Sequence, residues 1–366
     1  MAVIAFTGGG SAGHVIPGLA VMEEVCARGG FTPVWIGSRN GIERAILSDM
    51  APDVEYRSVP VGKLRRYVSV RNAIDAAKLP FGVLAAMWHI RRWKPAALFS
   101  KGGFVSVPPV LAAWLLRVPV ITHESDVDPG LATRINARFA RYICVAYERT
   151  ASAFGQAYSE RIIVTGNPVR RDLGRGDPGE AETRFSLDPG KPLLLVLGGS
   201  IGSASINRMI DEQLEQLCRV ANVVHHRGAG HPAPREHSGY TWAEFFTDEY
   251  IHLLARADLV VARAGAGTVW ELAASGTPAV LVPLGAGASR GDQLRNAELY
   301  AEGGGAVVLQ EDTLTSERLF EMISGLLGNE AERDRMKDAA LRFAGDGAAT
   351  RIADLLSERA GSRVNS

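Results

Sequence analysis

Short apolar runs recur along this chain. Val3 to Phe6, Pro33 to Gly37, Ala97 to Ser100 and Val118 to Thr122 fall in the first half, and Leu193 to Leu197, Ala221 to His225, Leu259 to Ala262 and Ala279 to Pro283 in the second. Helix-length segments separate them. Short, continuously apolar strands alternating with helices are the rhythm of parallel βαβ units, so both halves are expected to be α/β and doubly wound. Between the halves, Arg170 to Lys191 is rich in Gly, Pro, Asp, Glu and Arg and shows little apolar periodicity. It reads as a linker, with the domains at 1–169 and 170–344. The two halves echo one another, because Thr7-Gly-Gly-Gly-Ser-Ala-Gly13 and Leu197-Gly-Gly-Ser-Ile-Gly-Ser203 each follow the first strand of their half.

Glycine at a strand-to-helix turn brings backbone N–H groups close to a ligand, and the helix that follows points its positive end at the same place. A phosphate or carboxylate fits there; a tight turn without a ligand is the alternative. Pro17 suits the first turn of a helix running to about Arg28, where Gly29 and Gly30 supply a stop. Neither loop is GxGxxG, and neither second strand ends in the acid that would hold a nicotinamide ribose. GxxxxGK[ST] is also absent, so dinucleotide and P-loop chemistry are disfavoured. Arg263-Ala-Gly-Ala-Gly-Thr-Val-Trp-Glu271 follows another apolar strand and opens another helix. There, Thr268 and Glu271 have capping-box spacing, while Glu271 also suits acceptance of hydrogen bonds from ribose hydroxyls. Asp292 and Gln293 stand at a loop-to-helix junction, where they address sugar hydroxyls or, with Ser289, merely cap. His14, just after the first loop, is a candidate general base or a cap.

At 366 residues and 46% hydrophobic the chain can bury two cores, and its zero net charge gives no global attraction to nucleic acid. Cys26, Cys144 and Cys218 are far apart without metal-ligand spacing, which points to a reducing compartment and no structural zinc. Met1 leads directly into an apolar strand without a charged leader, and Leu79 to Ile90 and Val105 to Leu116 are too short or broken to span a membrane; a non-exported, non-spanning chain is expected. From Val61 to Lys94, however, Lys63, Arg65, Arg66, Arg71, Lys78, Arg91, Arg92 and Lys94 face a single acid, Asp75. Leu79, Phe81, Leu84 and Trp88 lie among them. This combination suits either peripheral contact with anionic lipid or a core helix with a solvated basic edge.

Taken together, Gly8-Gly-Gly-Ser-Ala-Gly-His14, Lys101-Gly-Gly-Phe-Val-Ser106, His123-Glu-Ser-Asp-Val-Asp-Pro-Gly130, Gly166-Asn-Pro-Val-Arg170, Gly198-Gly-Ser-Ile-Gly202 and Arg263-Ala-Gly onward resemble the MurG family of peptidoglycan synthesis. Its members are UDP-N-acetylglucosamine:N-acetylmuramyl-(pentapeptide)-pyrophosphoryl-undecaprenol N-acetylglucosamine transferases. The resemblance covers nearly the whole chain. It implies the GT-B fold, two Rossmann-like domains around a cleft, with segment 345–366 crossing back to the first. It implies donor contacts at Ser11, Ala12, Gly13, Asp126, Arg170, Ser200, Gly265, Ala266, Gly267, Thr268, Glu271 and Gln293, with Asp292 alongside. Gly9, Gly10, Gly102, Gly103 and Phe104 would face the acceptor diphosphate. This chain departs from the common pattern at Ala12-Gly13 and at Glu124-Ser125-Asp126.

The implied reaction is an inverting transfer of N-acetylglucosamine from UDP-N-acetylglucosamine to the C4 hydroxyl of the acceptor, lipid I, giving lipid II. His14 is the expected base, with Glu124 and Asp126 as alternatives. No cofactor or obligatory metal is expected; Asp126-Val-Asp128 is the one Asp-x-Asp. The expected partners are the two substrates, an anionic membrane surface at its cytoplasmic face and other cell-wall synthesis proteins, with no nucleic acid. The rival readings are a UDP-N-acetylglucosamine 2-epimerase, a transferase with another lipid acceptor, and a binding subunit without catalysis.

Overall fold

The computed structural model describes residues 1–62, 70–199, 201–285, 291–345 and 347–364, less the side chains of 70–76, 359 and 361–364. The chain divides into two units, Met1–Arg170 with Gly347–Ser366, and Arg171–Asp346.

The first unit carries the strands β1 (Ala2–Thr7), β2 (Phe31–Gly37), β3 (Glu55–Ser58), β4 (Ala97–Ser100), β5 (Val120–Glu124), β6 (Tyr142–Val145) and β7 (Ile162–Val164). They form one parallel sheet in the order β3-β2-β1-β4-β5-β6-β7. Successive strand residues point to opposite faces, so a continuously apolar strand supplies two cores at once. Ile4, Phe6, Ala97, Phe99 and Ile121 face helix Ile16–Ala27 and the terminal helix Ala348–Val364. Ala5, Val34, Leu98, Val120 and Ile143 face helices Val70–Trp93 and Val107–Leu115. The terminal helix inserts Ile352, Ala353 and Leu356 into the first of these cores, and Arg28 clasps it by donating to the Thr350 carbonyl at 3.0 Å and pairing with Asp354 at 2.7 Å.

The second unit carries β8 (Leu193–Leu197), β9 (Asn222–His226), β10 (Tyr240–Ala243), β11 (Leu259–Ala262), β12 (Ala279–Leu281) and β13 (Ala306–Val308). They are again all parallel, in the order β10-β9-β8-β11-β12-β13. Leu194, Val196, Val223 and Val261 pack against Ile206, Met209 and Ile210 of helix Ala204–Glu212.

Two expectations need correction. The fifth strand begins at Val120, after Pro119, and runs on to take in His123 and Glu124, both buried. The segment after Arg170 is not a bare linker. Helix Pro178–Arg184, started by Asp177 accepting from the Gly179 N–H, packs on helix Glu249–Arg256. Ala181 is buried and Arg256 pairs with Glu182 at 2.6 Å. Composition hid this because the segment contributes only a few buried side chains and makes its other contacts through charge.

Candidate active site

In a doubly wound sheet, ligands bind beyond the carboxyl ends of the strands where strand order reverses. In the first unit the reversal lies between β1 and β4, and the turns that leave them are Gly8-Gly-Gly10 and Lys101-Gly-Gly103. The two turns interlock. Gly103 has φ 76°, and a Cβ on it would collide with the Gly9 carbonyl; the Phe104 ring stands 2.6 Å from where a Gly10 Cβ would be. A short 3₁₀ turn, Ala12–His14, follows the first loop, and Ser11 Oγ lies 2.8 Å from His14 Nδ1. Gly102 backs the imidazole, since a Cβ there would sit 3.7 Å from His14 Cδ2. Ser11 and Gly13 are exposed, while Ala12 and His14 are half-buried.

The expectation that the N–H groups of this loop await a ligand needs correction at Gly10. Its N–H donates to Glu43 Oε2 at 3.2 Å, and the other carboxylate oxygen of this fully buried residue takes the Ser38 N–H at 2.8 Å and the Ser38 hydroxyl. An anion does occupy the turn, and it belongs to the chain. Glu43 opens helix Ile42–Met50, and an acid in a first turn is a recognisable sequence signal, but its span of 33 residues to Gly10 is tertiary.

Below the loops lies a second charged cluster. Lys101 is 1% exposed and its ammonium donates to Ser125 Oγ at 2.7 Å. Burial lowers its pKa to about 8, against the opposing pull of Glu124 and Asp126. His123 is also fully buried, and burial together with Lys101 holds it well below the ordinary histidine range. Nε2 of the neutral ring therefore donates to the Gly166 carbonyl at 2.9 Å, and Nδ1 has no partner among the described residues. Glu124, an alternative base by sequence, accepts three backbone hydrogen bonds. Oε1 takes the Ser125 and Asp126 N–H groups at 2.9 and 3.1 Å, and Oε2 that of Gly130 at 2.9 Å. These bonds shape the loop after β5. Asp126 stays half-buried at that loop, where its carbonyl accepts from Thr150 at 3.1 Å.

In the second unit the reversal lies between β8 and β11, which lead into the Gly198 and Arg263 segments. Gly202 has φ 77° and a Cβ on it would collide with the Arg227 carbonyl. That carbonyl accepts from Asn207 Nδ2 at 3.0 Å, so the turn after β9 is bolted to the turn after β8. Ser203 caps its own helix by accepting from Ile206 N–H. Ser200 lies outside the described residues, as do Lys63, Arg65, Arg66 and Ser289.

After β11, Arg263 is buried and spent on structure, donating to the Val282 carbonyl at 3.0 Å and pairing with Glu311 at 2.6 Å. Burial raises the Glu311 pKa, but the hydrogen bonds from Arg263 and Ser205 outweigh it and the net shift is downward. The capping box does not form. Helix Ala266–Ser275 begins after Gly265 with no side-chain cap, which puts Thr268 third in the helix, too late to cap it. Gly265, Ala266, Gly267, Thr268 and Glu271 form a half-exposed stripe, while Val269, Trp270, Leu272 and Ala273 are buried. Glu271 Oε2 accepts from the Tyr250 hydroxyl at 2.8 Å. Asp292 is not a cap either; Gly291, at φ 77°, precedes the helix and Asp292 is its first residue. Gln293 Oε1 takes the Leu284 N–H at 3.1 Å and so anchors the preceding loop. Among the described residues no His, Cys, Asp and Glu cluster is arranged to hold a metal ion.

Away from these turns, helix Val70–Trp93 exposes Phe81 (66%), Leu84 (63%) and Trp88 (59%) at helical spacing, with Arg91 and Arg92 exposed and Leu79 half-buried. The Arg92 guanidinium lies 5.8 Å from the Trp88 ring centre. Trp114 and Leu115, at the end of the neighbouring helix, are half exposed. Among the described residues no helix is long and apolar enough to cross a membrane.

Two parallel doubly wound units, each with glycine turns at its switch point and neither with a dinucleotide acid, define the GT-B class. Residues 4–145 match the glycosyltransferase family 28 N-terminal domain and residues 193–353 its C-terminal domain. A Treponema denticola protein named UDP-N-acetylglucosamine--N-acetylmuramyl-(pentapeptide) pyrophosphoryl-undecaprenol N-acetylglucosamine transferase is 39% identical over 97% of both chains. A Staphylococcus aureus protein of the same name is 39% identical over 92% of both. The chain belongs to glycosyltransferase family 28 and, within it, to the MurG family of N-acetylglucosamine transferases. Among solved structures, Acinetobacter baumannii MurG superposes with a TM-score of 0.74 at 27% identity, covering 98% of this chain and 100% of that one. A Neisseria meningitidis UDP-GlcNAc 2-epimerase superposes with a TM-score of 0.71 over 98% and 100%, but at 13% identity that likeness is of fold alone.

Proposed function

We propose that this chain transfers N-acetylglucosamine from UDP-N-acetylglucosamine to the C4 hydroxyl of the N-acetylmuramic acid of lipid I, giving lipid II. The observation that carries the donor half is the uncapped start of helix Ala266–Ser275, with Glu271 one turn along the same half-exposed stripe. Uncapped N–H groups suit a diphosphate and a carboxylate suits ribose hydroxyls. The acceptor half rests on the names of the relatives and on the interlocked turns around His14.

In the transfer, the acceptor C4 oxygen attacks the anomeric carbon from the face opposite UDP, the bond to the β-phosphate oxygen breaks, and the configuration inverts. His14 receives the hydroxyl proton. For this its Nδ1–H must donate to Ser11 Oγ, 2.8 Å away, so that Nε2 carries the lone pair. The charge growing on the leaving diphosphate meets the N–H groups of the 265–268 helix start. On this account no metal is needed. The exposed Phe81, Leu84 and Trp88 beside Arg91 and Arg92 support peripheral attachment to the anionic cytoplasmic membrane surface, where the lipid-linked acceptor resides.

The test is transfer from radiolabelled UDP-N-acetylglucosamine to a lipid I analogue by the purified chain in the presence of EDTA, with a no-acceptor control. Acceptor-dependent, EDTA-resistant product is expected. Sugar conversion without acceptor would replace the proposal with epimerase chemistry.

A further inference from the structure

Tyr250 lies outside every motif that sequence reading singles out, yet its hydroxyl donates a 2.8 Å hydrogen bond to Oε2 of Glu271, the proposed ribose ligand. Both residues stand on helices that begin beyond the carboxyl ends of adjacent chain segments, Tyr250 as second residue of Glu249–Arg256 after β10 and Glu271 as sixth of Ala266–Ser275 after β11. Both are half-buried, reachable by a ligand while packed on one side.

The base under Tyr250 is held firmly. Arg184 donates to Asp248 at 3.4 Å and to Glu249 at 2.9 Å, and the Thr247 N–H donates to Glu249 Oε2 at 3.0 Å. One turn further on, the Asp177 N–H donates to His252 Nδ1 at 3.0 Å, and Gly176 packs so tightly on the Ile251 carbonyl that a Cβ would collide with it. The phenol is therefore presented from a backbone pinned on two sides. A glutamate has three side-chain torsions to freeze when it receives a ribose hydroxyl, and a carboxylate has lone pairs enough for a phenol and a ligand together.

We propose that Tyr250 is a positioning residue that fixes the Glu271 carboxylate for the 2′-hydroxyl of the nucleotide ribose and so sets selectivity for ribonucleotide donors. This rests on the assignment of Glu271 to the donor ribose. Tyr250 acts before the ligand arrives, taking from the binding step the cost of ordering Glu271. Its contribution is then specific to ligands that carry the 2′-hydroxyl.

Calorimetric titration of the full chain with UDP and with 2′-deoxy-UDP tests this without any acceptor. The unsubstituted chain should bind UDP more tightly than 2′-deoxy-UDP, and Glu271→Ala should bring the two affinities together. Tyr250→Phe should weaken UDP by about fivefold, the worth of one hydrogen bond, and leave 2′-deoxy-UDP nearly unchanged. Equal weakening of both ligands by Tyr250→Phe would mean a merely structural role, and an unchanged UDP affinity would mean none; either overturns the proposal while Glu271→Ala still shows the ribose contact. Should Glu271→Ala keep the full discrimination, the ribose assignment itself falls. Partial unfolding of a variant would weaken UDP and 2′-deoxy-UDP by the same factor, so a loss of stability does not mimic the expected selective result.

Discussion

Lys101 donates its ammonium to Ser125 Oγ across 2.7 Å in the interior of the first unit, joining the turn after β4 to the loop after β5. An ionised lysine in that setting is held against a desolvation penalty that Glu124 and Asp126 offset only in part. Its folded-state pKa, about 8, lies below the ordinary 10.5. Below pH 8 both folded and unfolded chains carry the proton and the folded state bears the whole penalty. Between about 8 and 10.5 only the folded state has released it, so this residue makes stability rise with pH, by on the order of 3 kcal/mol in all. Urea unfolding of the unsubstituted chain and of Lys101→Met, compared at pH 7.5 and pH 10, should show the substituted chain lacking this rise; equal pH dependence in the two would contradict the assignment.

His14→Ala should lower kcat about 10²- to 10⁴-fold, the range of a lost general base, with UDP affinity little changed because the imidazole is assigned to the acceptor hydroxyl and not to the nucleotide. Steady-state transfer and calorimetric UDP binding separate the two effects. A loss confined to UDP affinity would make His14 a binding residue.

Glu43→Gln keeps the shape of the side chain and removes one acceptor oxygen. A buried N–H or hydroxyl around Gly10 and Ser38 then goes unsatisfied. Loss of about 1–3 kcal/mol of stability is expected from a shift of the urea midpoint, together with a fall in kcat as the turn beside His14 loosens. An unchanged midpoint would show that the carboxylate contributes nothing to the turn.

Phe81, Leu84 and Trp88 are well exposed, so replacing all three by serine should leave the thermal midpoint nearly unchanged. Sedimentation with vesicles of anionic phospholipid should nonetheless fall at least about tenfold, because the transfer energy of three large apolar side chains is removed. Undiminished binding would assign the face to protein packing.

The apolar runs determined most of the architecture by themselves, since a strand apolar at every position must be covered on both faces and the helix-length segments between such strands supply that cover in a parallel sheet. Glycine spacing marked the turns after β1, β4, β8 and β11, because collisions such as those of Gly103 with Gly9 and of Gly202 with Arg227 exclude every other residue. Contacts between distant segments were decided only by tertiary structure. Nothing local says that Glu43 will reach Gly10, that Lys101 will meet Ser125, or that Tyr250 will touch Glu271. The same limit left Thr268 and Glu271 open between a capping box and a ribose contact, for spacing cannot reveal that a helix starts at Ala266. Periodicity and glycine geometry are properties of a segment and its own backbone, legible in order along the chain. The partner of a buried charge is chosen by whichever segment the fold brings within hydrogen-bonding distance, and that choice exists only once the chain has folded.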